Sequence, residues 1–221
     1  MSVAQSVVFL LIFRYVFGGA ITAGGPAYVD YLVPGLLTVS MLFTVMRVGV
    51  GVAEDLGAGV TDRLRSLPMP RTAILLGRSL ADLAVTAITL AATTAVAFAV
   101  GFRPAGGVAG LAALLGVCLA TGATFGWVFV VIGLATGSVP AAQGLGFLVL
   151  PLSFVSSAYV PTASMPGWLR VFADHQPVTV LVDAARSVSE GGTYHLVAAA
   201  VWCAGICAVT IPASVALFRR R

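Results

Sequence analysis

The chain has 221 residues, of which 59% are hydrophobic and only 9% charged, and its mean hydropathy is +1.04. A soluble domain carries roughly a quarter charged residues, and one of this size could not bury so much apolar surface, so the composition excludes a soluble fold and leaves an integral membrane protein. All 12 basic residues are arginine, which excludes a phosphate-binding loop of the G-x-x-x-x-G-K-[ST] type, whose lysine reaches the phosphates.

Six apolar segments follow along the chain, predicting an all-α membrane domain spanning residues 1–221, with transmembrane helices at about 3–21, 31–53, 81–101, 108–135, 141–159 and 196–218. The first carries Arg14 inside its apolar run and lacks a basic start, so it reads as a span and not as a signal peptide. Residues 104–169 contain no charge at all. As one helix that run would be about 100 Å long, so it must fold back inside the bilayer. The turn Thr136-Gly137-Ser138-Val139-Pro140 marks the reversal, with a glycine stop followed by a proline able to start a helix. Arg63, Arg65, Arg71, Arg78 and Arg219 to Arg221 fall on one side, against Arg103, Arg170 and Arg186 on the other. That asymmetry predicts both termini in the cytoplasm, and it explains the net charge of +4 without nucleic acid.

In the loop between spans two and three, Val60, Leu64 and Leu67 form one stripe of a short helix, with Asp62, Arg63 and Arg65 on its other sides and Pro68 as its stop. A helix this short needs a surface to lie on. The residues leave two surfaces open, the lipid headgroups or a protein partner that receives the stripe. In span four, Gly122, Gly126, Gly133 and Gly137 lie within about 60° of one another, a small-residue face suited to close helix packing. Among the intramembrane charges, Arg14 is expected to reach toward Asp30, Arg47 toward Glu54 and Asp55, and Arg78 toward Asp82 one turn on.

Between spans five and six, residues 161–192 predict an outward-facing hairpin of two short amphipathic helices dipping into the outer leaflet. Its marker residues are Pro161, Met165, Pro166, Trp168, Leu169, Phe172 and Pro177, with Ser164 as a candidate cap. His175 reads as a loop-end hydrogen-bonding residue, and Cys118, Cys203 and Cys207 as small apolar side chains. The chain has no nucleophile-elbow or zinc-protease motif and no carboxylate cluster suited to a metal-dependent transferase, so no catalytic, cofactor-binding or metal site is expected. An ion-coupled secondary transporter would want a titratable group at mid-membrane, which the uncharged run denies to spans four and five.

The string DRLRSLPMPRTAILLGRSLADL at 62–83 resembles the cytoplasmic loop of type-2 ABC exporter permeases, specifically the daunorubicin and doxorubicin resistance group. FRYVFGGAI at 13–21, YLVPGLL at 31–37 and LPLSFVSSAYVPTASMPGWLRVFADHQPVTVLVDAARSV at 150–188 agree in the same order, so the resemblance covers nearly the whole chain. It implies a six-span permease of the bacterial plasma membrane that dimerises and pairs with two ATPase subunits. ATP and Mg²⁺ would be held on those partners and none on this chain. It also implies a coupling helix seated in the ATPase, mapping to about residues 57–67 and drawing on Val60, Asp62, Arg63, Leu64, Arg65, Leu67, Pro68, Pro70 and Arg71. The expected cargo is a hydrophobic or amphiphilic, drug-like compound moved outward, with a lipid or glycolipid as the alternative. Such permeases carry tens of residues before the first span where this sequence has Met1 and Ser2, an expectation of a misassigned start or a shortened form.

Overall fold

The computed structural model describes residues 8, 11–12, 26–59 and 71–220. The expected first span and the loop residues 60–70 lie outside those described, apart from Val8, Leu11 and Ile12, which are helical. The described residues form α1 (Pro26–Gly57), α2 (Arg71–Ala99), α3 (Gly107–Thr136), α4 (Val139–Gly146), α5 (Val149–Phe154), α6 (Gly167–His175), α7 (Pro177–Ser189) and α8 (Leu196–Arg220), with a 3₁₀ turn at Thr162–Ser164. Four of them, α1, α2, α3 and α8, are long and apolar enough to cross a bilayer.

Helix α1 is the hub. It packs most extensively on α3 and also on α7, α4 and α2, and it contributes Leu32, Leu36, Leu37, Met41 and Leu42 to the core. Close approach depends on missing side chains. A Cβ built at Gly49 would stand 2.8 Å from the Phe129 carbonyl oxygen, and one at Gly133 would stand 2.8 Å from Val52 Cβ, so at this crossing α1 and α3 touch backbone to backbone. Gly110 does the same for α3 against α7, 2.9 Å from the Val188 carbonyl. Hydroxyls within the helices bond inward, as membrane burial requires: Thr38, Thr44, Thr86, Thr89, Thr93 and Thr121 each donate to the carbonyl four residues back at 2.8–2.9 Å.

Several boundaries differ from expectation. The second span runs on to Gly57, where Gly59 at φ 68° turns the chain, and the third helix starts earlier than expected, with Arg71 as the first residue of α2. The expected continuous fifth span is broken into α4 and α5. Pro151 has no N–H to offer the Phe147 carbonyl, which instead accepts from Leu150 at 3.0 Å, while Leu148 donates to Leu145 at 3.2 Å. The chain thus tightens locally to three-residue bonds. Helix ends at Phe154, not Tyr159, because Ser153 and Ser156 turn their hydroxyls onto Leu150 and Ser153 carbonyls. Residues Ser156 to Tyr159 are irregular yet buried within the protein, where non-helical backbone is tolerated. The turn before α4 forms as the sequence predicts, with Gly137 left-handed at φ 57° and Pro140 in the first turn of α4.

Candidate functional site

A cavity of about 790 Å³ opens where α1, α2 and the broken α4–α5 pair meet. Helix α1 supplies Phe43, Met46, Arg47, Val50 and Glu54, which recur at helical spacing along one face; α2 adds Arg78, Asp82 and Val85; Gln143, Phe147 and Leu150 form the third wall. Its lining mixes aromatic and aliphatic surface with a few charges, the character of a site for amphiphiles.

The charges at its base are organised by Arg78, which pairs with the Asp55 carboxylate and lies 3.6 Å from Asp82. The guanidinium crosses the backbone of Gly51, where any Cβ would collide with it. This cluster ties the last turn of α1 to the first turns of α2, on either side of the 60–70 loop. The expected Arg78–Asp82 pair is therefore present. The expected link from Arg47 to Asp55 is not, because Arg78 takes that carboxylate, and Arg47 has no ion pair or hydrogen bond among the described residues. Asp30 accepts from the backbone N–H of Arg103 at 3.3 Å; its expected partner Arg14 lies outside the described residues.

At the opposite end of α1 stands a buried polar knot that sequence reasoning missed. Arg186 of α7, only 12% exposed at its side chain, pairs with Asp183 at 2.9 Å and donates to the carbonyls of Tyr31 at 3.2 Å and Ser157 at 3.1 Å. Its guanidinium lies 3.7 Å from the Tyr31 ring centroid, a stacked cation–π contact. The Tyr31 hydroxyl donates to the Ser157 carbonyl at 3.0 Å, and the Ser157 hydroxyl to Asp183 at 2.7 Å. Burial lowers the pKa of Arg186, while Tyr31, Asp183 and Glu190 offset part of that. Gln176 adds a cap, donating to the carbonyls of Leu152 and Val155 at the end of α5. The local signal was the Asp183–Arg186 spacing; the carbonyl partners Ser157 and Tyr31 are 29 and 155 positions away.

The expected hairpin residues fall on two unlike helices. Pro161 precedes the 3₁₀ turn, Met165 is half-buried, Pro166 is the N-cap of α6 and Pro177 lies in the first turn of α7. Ser164 does not cap α6; its hydroxyl donates back to Pro161 at 2.8 Å. Leu169 and Ala173 turn inward on α6, whereas Trp168, Val171 and Phe172 are exposed on one stripe. Arg170 pairs with Asp174 at 3.5 Å, and His175 Nδ1 is 2.9 Å from the Val171 carbonyl. Helix α7 is a buried element, not an amphipathic surface one.

Of the four expected packing glycines, Gly122 faces Thr86, whose Cγ2 would lie 3.0 Å from a Cβ built there, and Gly133 meets α1. Gly126 meets nothing within 4 Å, because a second cavity of about 180 Å³ separates it from α2 at Ser79 and Leu83. Gly137 serves as the C-cap of α3. Cys118 is buried, and Cys203 and Cys207 partly so. The proposed coupling residues Val60, Asp62, Arg63, Leu64, Arg65, Leu67, Pro68 and Pro70 lie outside the described residues.

Comparison with known proteins assigns the architecture to a family: residues 1–189 match the ABC-2 type transporter domain. The chain belongs to the ABC-2 type transporter family. It is 30% identical over 222 aligned positions to the daunorubicin resistance ABC transporter permease protein DrrB1 of Streptomyces coeruleorubidus, covering 99% of this chain and 78% of that protein. It is 28% identical over 164 positions to the Mycobacterium tuberculosis protein named "Probable doxorubicin resistance ABC transporter permease protein DrrC", covering 73% of this chain and 59% of that one. No solved structure matches the chain. ABC-2 membership makes the chain a membrane subunit of a transporter and implies an ABC ATPase and a second permease as its partners.

Proposed function

We propose that this ABC-2 chain is the permease subunit of an ATP-driven exporter that moves a hydrophobic or amphiphilic, drug-like compound out of the cell. In this reading two permeases and two ATPases assemble in the bacterial plasma membrane, and ATP with its Mg²⁺ acts on the ATPases. Both termini and the 60–70 loop lie in the cytoplasm, following the arginine asymmetry. The observation that carries the reading is the amphiphilic cavity, whose volume of about 790 Å³ suits a drug-sized molecule.

The proposed coupling segment, about residues 57–67, leaves α1 two residues after Asp55 and returns through α2 seven residues before Arg78. The Asp55–Arg78 pair supports the coupling role, because a push on the loop would reach two cavity-lining helices together. The test is co-reconstitution of the permease with its ATPase in proteoliposomes, following ATP-dependent movement of hydrophobic and amphiphilic dyes of either charge. Leu64→Asp would set a charge against an apolar cleft; the expected result is loss of both dye movement and ATPase co-purification with membrane insertion intact. Undiminished co-purification and transport would overturn the coupling assignment, and failure of the wild type to move any dye with ATP would overturn the exporter reading.

A further inference from the structure

Arg47 stands out among the cavity charges. It lies six residues before Ala53, where the apolar run of α1 gives way to Glu54 and Asp55, about 9 Å along the helix and hence inside the hydrocarbon core on the side of the 60–70 loop. A guanidinium at that depth is costly unless it meets water or an anion. Among the described residues it makes no ion pair, hydrogen bond or ring contact, and its side chain is exposed to the cavity.

The acidic groups lining or flanking the cavity do not answer it. Asp55 and Asp82 are both engaged by Arg78. Glu54 is two turns away, about 10 Å along the axis, and near the helix end, where water can hydrate it. Gln143, on the facing wall, is neutral and able to donate a hydrogen bond. On the other side of Arg47 the lining is apolar, with Phe43 one turn back on α1 and Phe147 and Leu150 across the cavity.

We infer that Arg47 is a specificity-determining residue that receives the anionic group, a phosphate or carboxylate, of an amphiphile whose apolar body lies against Phe43, Phe147 and Leu150. This rests on the exporter reading for its physiological meaning, but the binding itself requires no ATP. Guanidinium is suited to such a group because its N–H fork matches two oxygens of a phosphate or carboxylate.

The test measures equilibrium binding of decyl phosphate and decyltrimethylammonium to the permease–ATPase complex in phosphatidylcholine nanodiscs, without nucleotide. The expected result is at least about tenfold preference for decyl phosphate, reduced by about tenfold in Arg47→Gln and partly kept in Arg47→Lys. Arg170→Gln, on exposed α6, should leave it unchanged. Repeating the titration in phosphatidylglycerol nanodiscs separates two sources of the anion: a weakened decyl phosphate affinity assigns the site to a bilayer lipid headgroup, an unchanged one to an exported amphiphile, and either keeps the anion site.

Equal affinity of the wild type for the two amphiphiles overturns the inference, as does undiminished decyl phosphate binding by Arg47→Gln. If Arg47→Gln instead separates the two permease copies with binding unchanged, the partner of Arg47 is the second copy and the inference is overturned. Loss of charge preference with ATP-driven dye movement intact would remove the anion site while leaving the exporter reading standing.

Discussion

Helices α1 and α8 are almost equally apolar, yet 72% of the most apolar stretch of α1 is buried and only 6% of that of α8. Hydropathy reports affinity for the membrane and is blind to position within the bundle, since lipid tails are as apolar as leucine. What separates the two helices is what their small and polar residues meet. Gly35 and Gly49 of α1 press on the backbone of Ala158 and Phe129, whereas Gly205 of α8 meets nothing within 4 Å. Tyr31 anchors one end of α1 in the Arg186 knot, and Asp55 ties the other to Arg78. Helix α8 rests on α3 and α7 and leaves Val197, Val201 and Val209 exposed.

The contrast can be broken at its strongest point first. Arg186→Leu removes a cation that holds α7 and Ser157 to the Tyr31 end of α1, leaving Asp183 without its counter-charge and with only the Ser157 hydroxyl; the expected loss is about 3 kcal/mol. Failure to recover monodisperse protein in detergent is the readout, and an unshifted melting temperature would show the knot to be dispensable. Gly49→Leu comes next, forcing α1 from α3 at a cost of about 1–3 kcal/mol, while the same change at Gly205 should stay within about 0.5 kcal/mol. Equal melting shifts for the pair would erase the distinction between hub and periphery. The smallest effect belongs to Gly126→Leu, whose side chain enters the 180 Å³ cavity. It should change stability by less than about 1 kcal/mol, whereas Gly133→Leu on the same helix should resemble Gly49→Leu. A large loss at Gly126 would mean that a surface beyond the single chain packs there.

Helix ends were legible where an apolar run stops at a glycine or a charge, as at Gly137 and Phe218, whereas α1 runs past the charges Glu54 and Asp55 to Gly57. The broken fifth span was less so. Gly144, Gly146 and Pro151 were visible in the sequence, but apolar composition alone reads straight through them. The glycine stripe shows a different limit. Angular arithmetic puts Gly126 beside Gly122 and Gly133 but carries no information about whether a neighbour stands opposite. The cavity escaped because it is assembled from three helices far apart in sequence, although Arg47 and Gln143, one on each of two facing walls, were in plain view. Arg186 was not legible as the centre of a knot, because one carbonyl partner, Tyr31, stands on α1 155 positions away and the other, Ser157, lies in an irregular segment whose shape no local pattern specifies.

The interrupted helix pair has a consequence for the surrounding lipid. From Val139 to Phe154 it rises about 24 Å, several ångströms short of an average hydrocarbon core. Residues Ser156 to Tyr159 after it are buried, but Leu145, Phe147, Leu148, Leu150 and Phe154 are exposed in the single chain along that short stretch. Where those side chains meet acyl chains, the bilayer must thin or the helix pair must stay upright to match, at a fraction of a kcal/mol per ångström of mismatch. Acyl-chain length therefore becomes a variable acting on one wall of the cavity, and vesicles of shorter-chain lipid should favour the conformation seen in this structure.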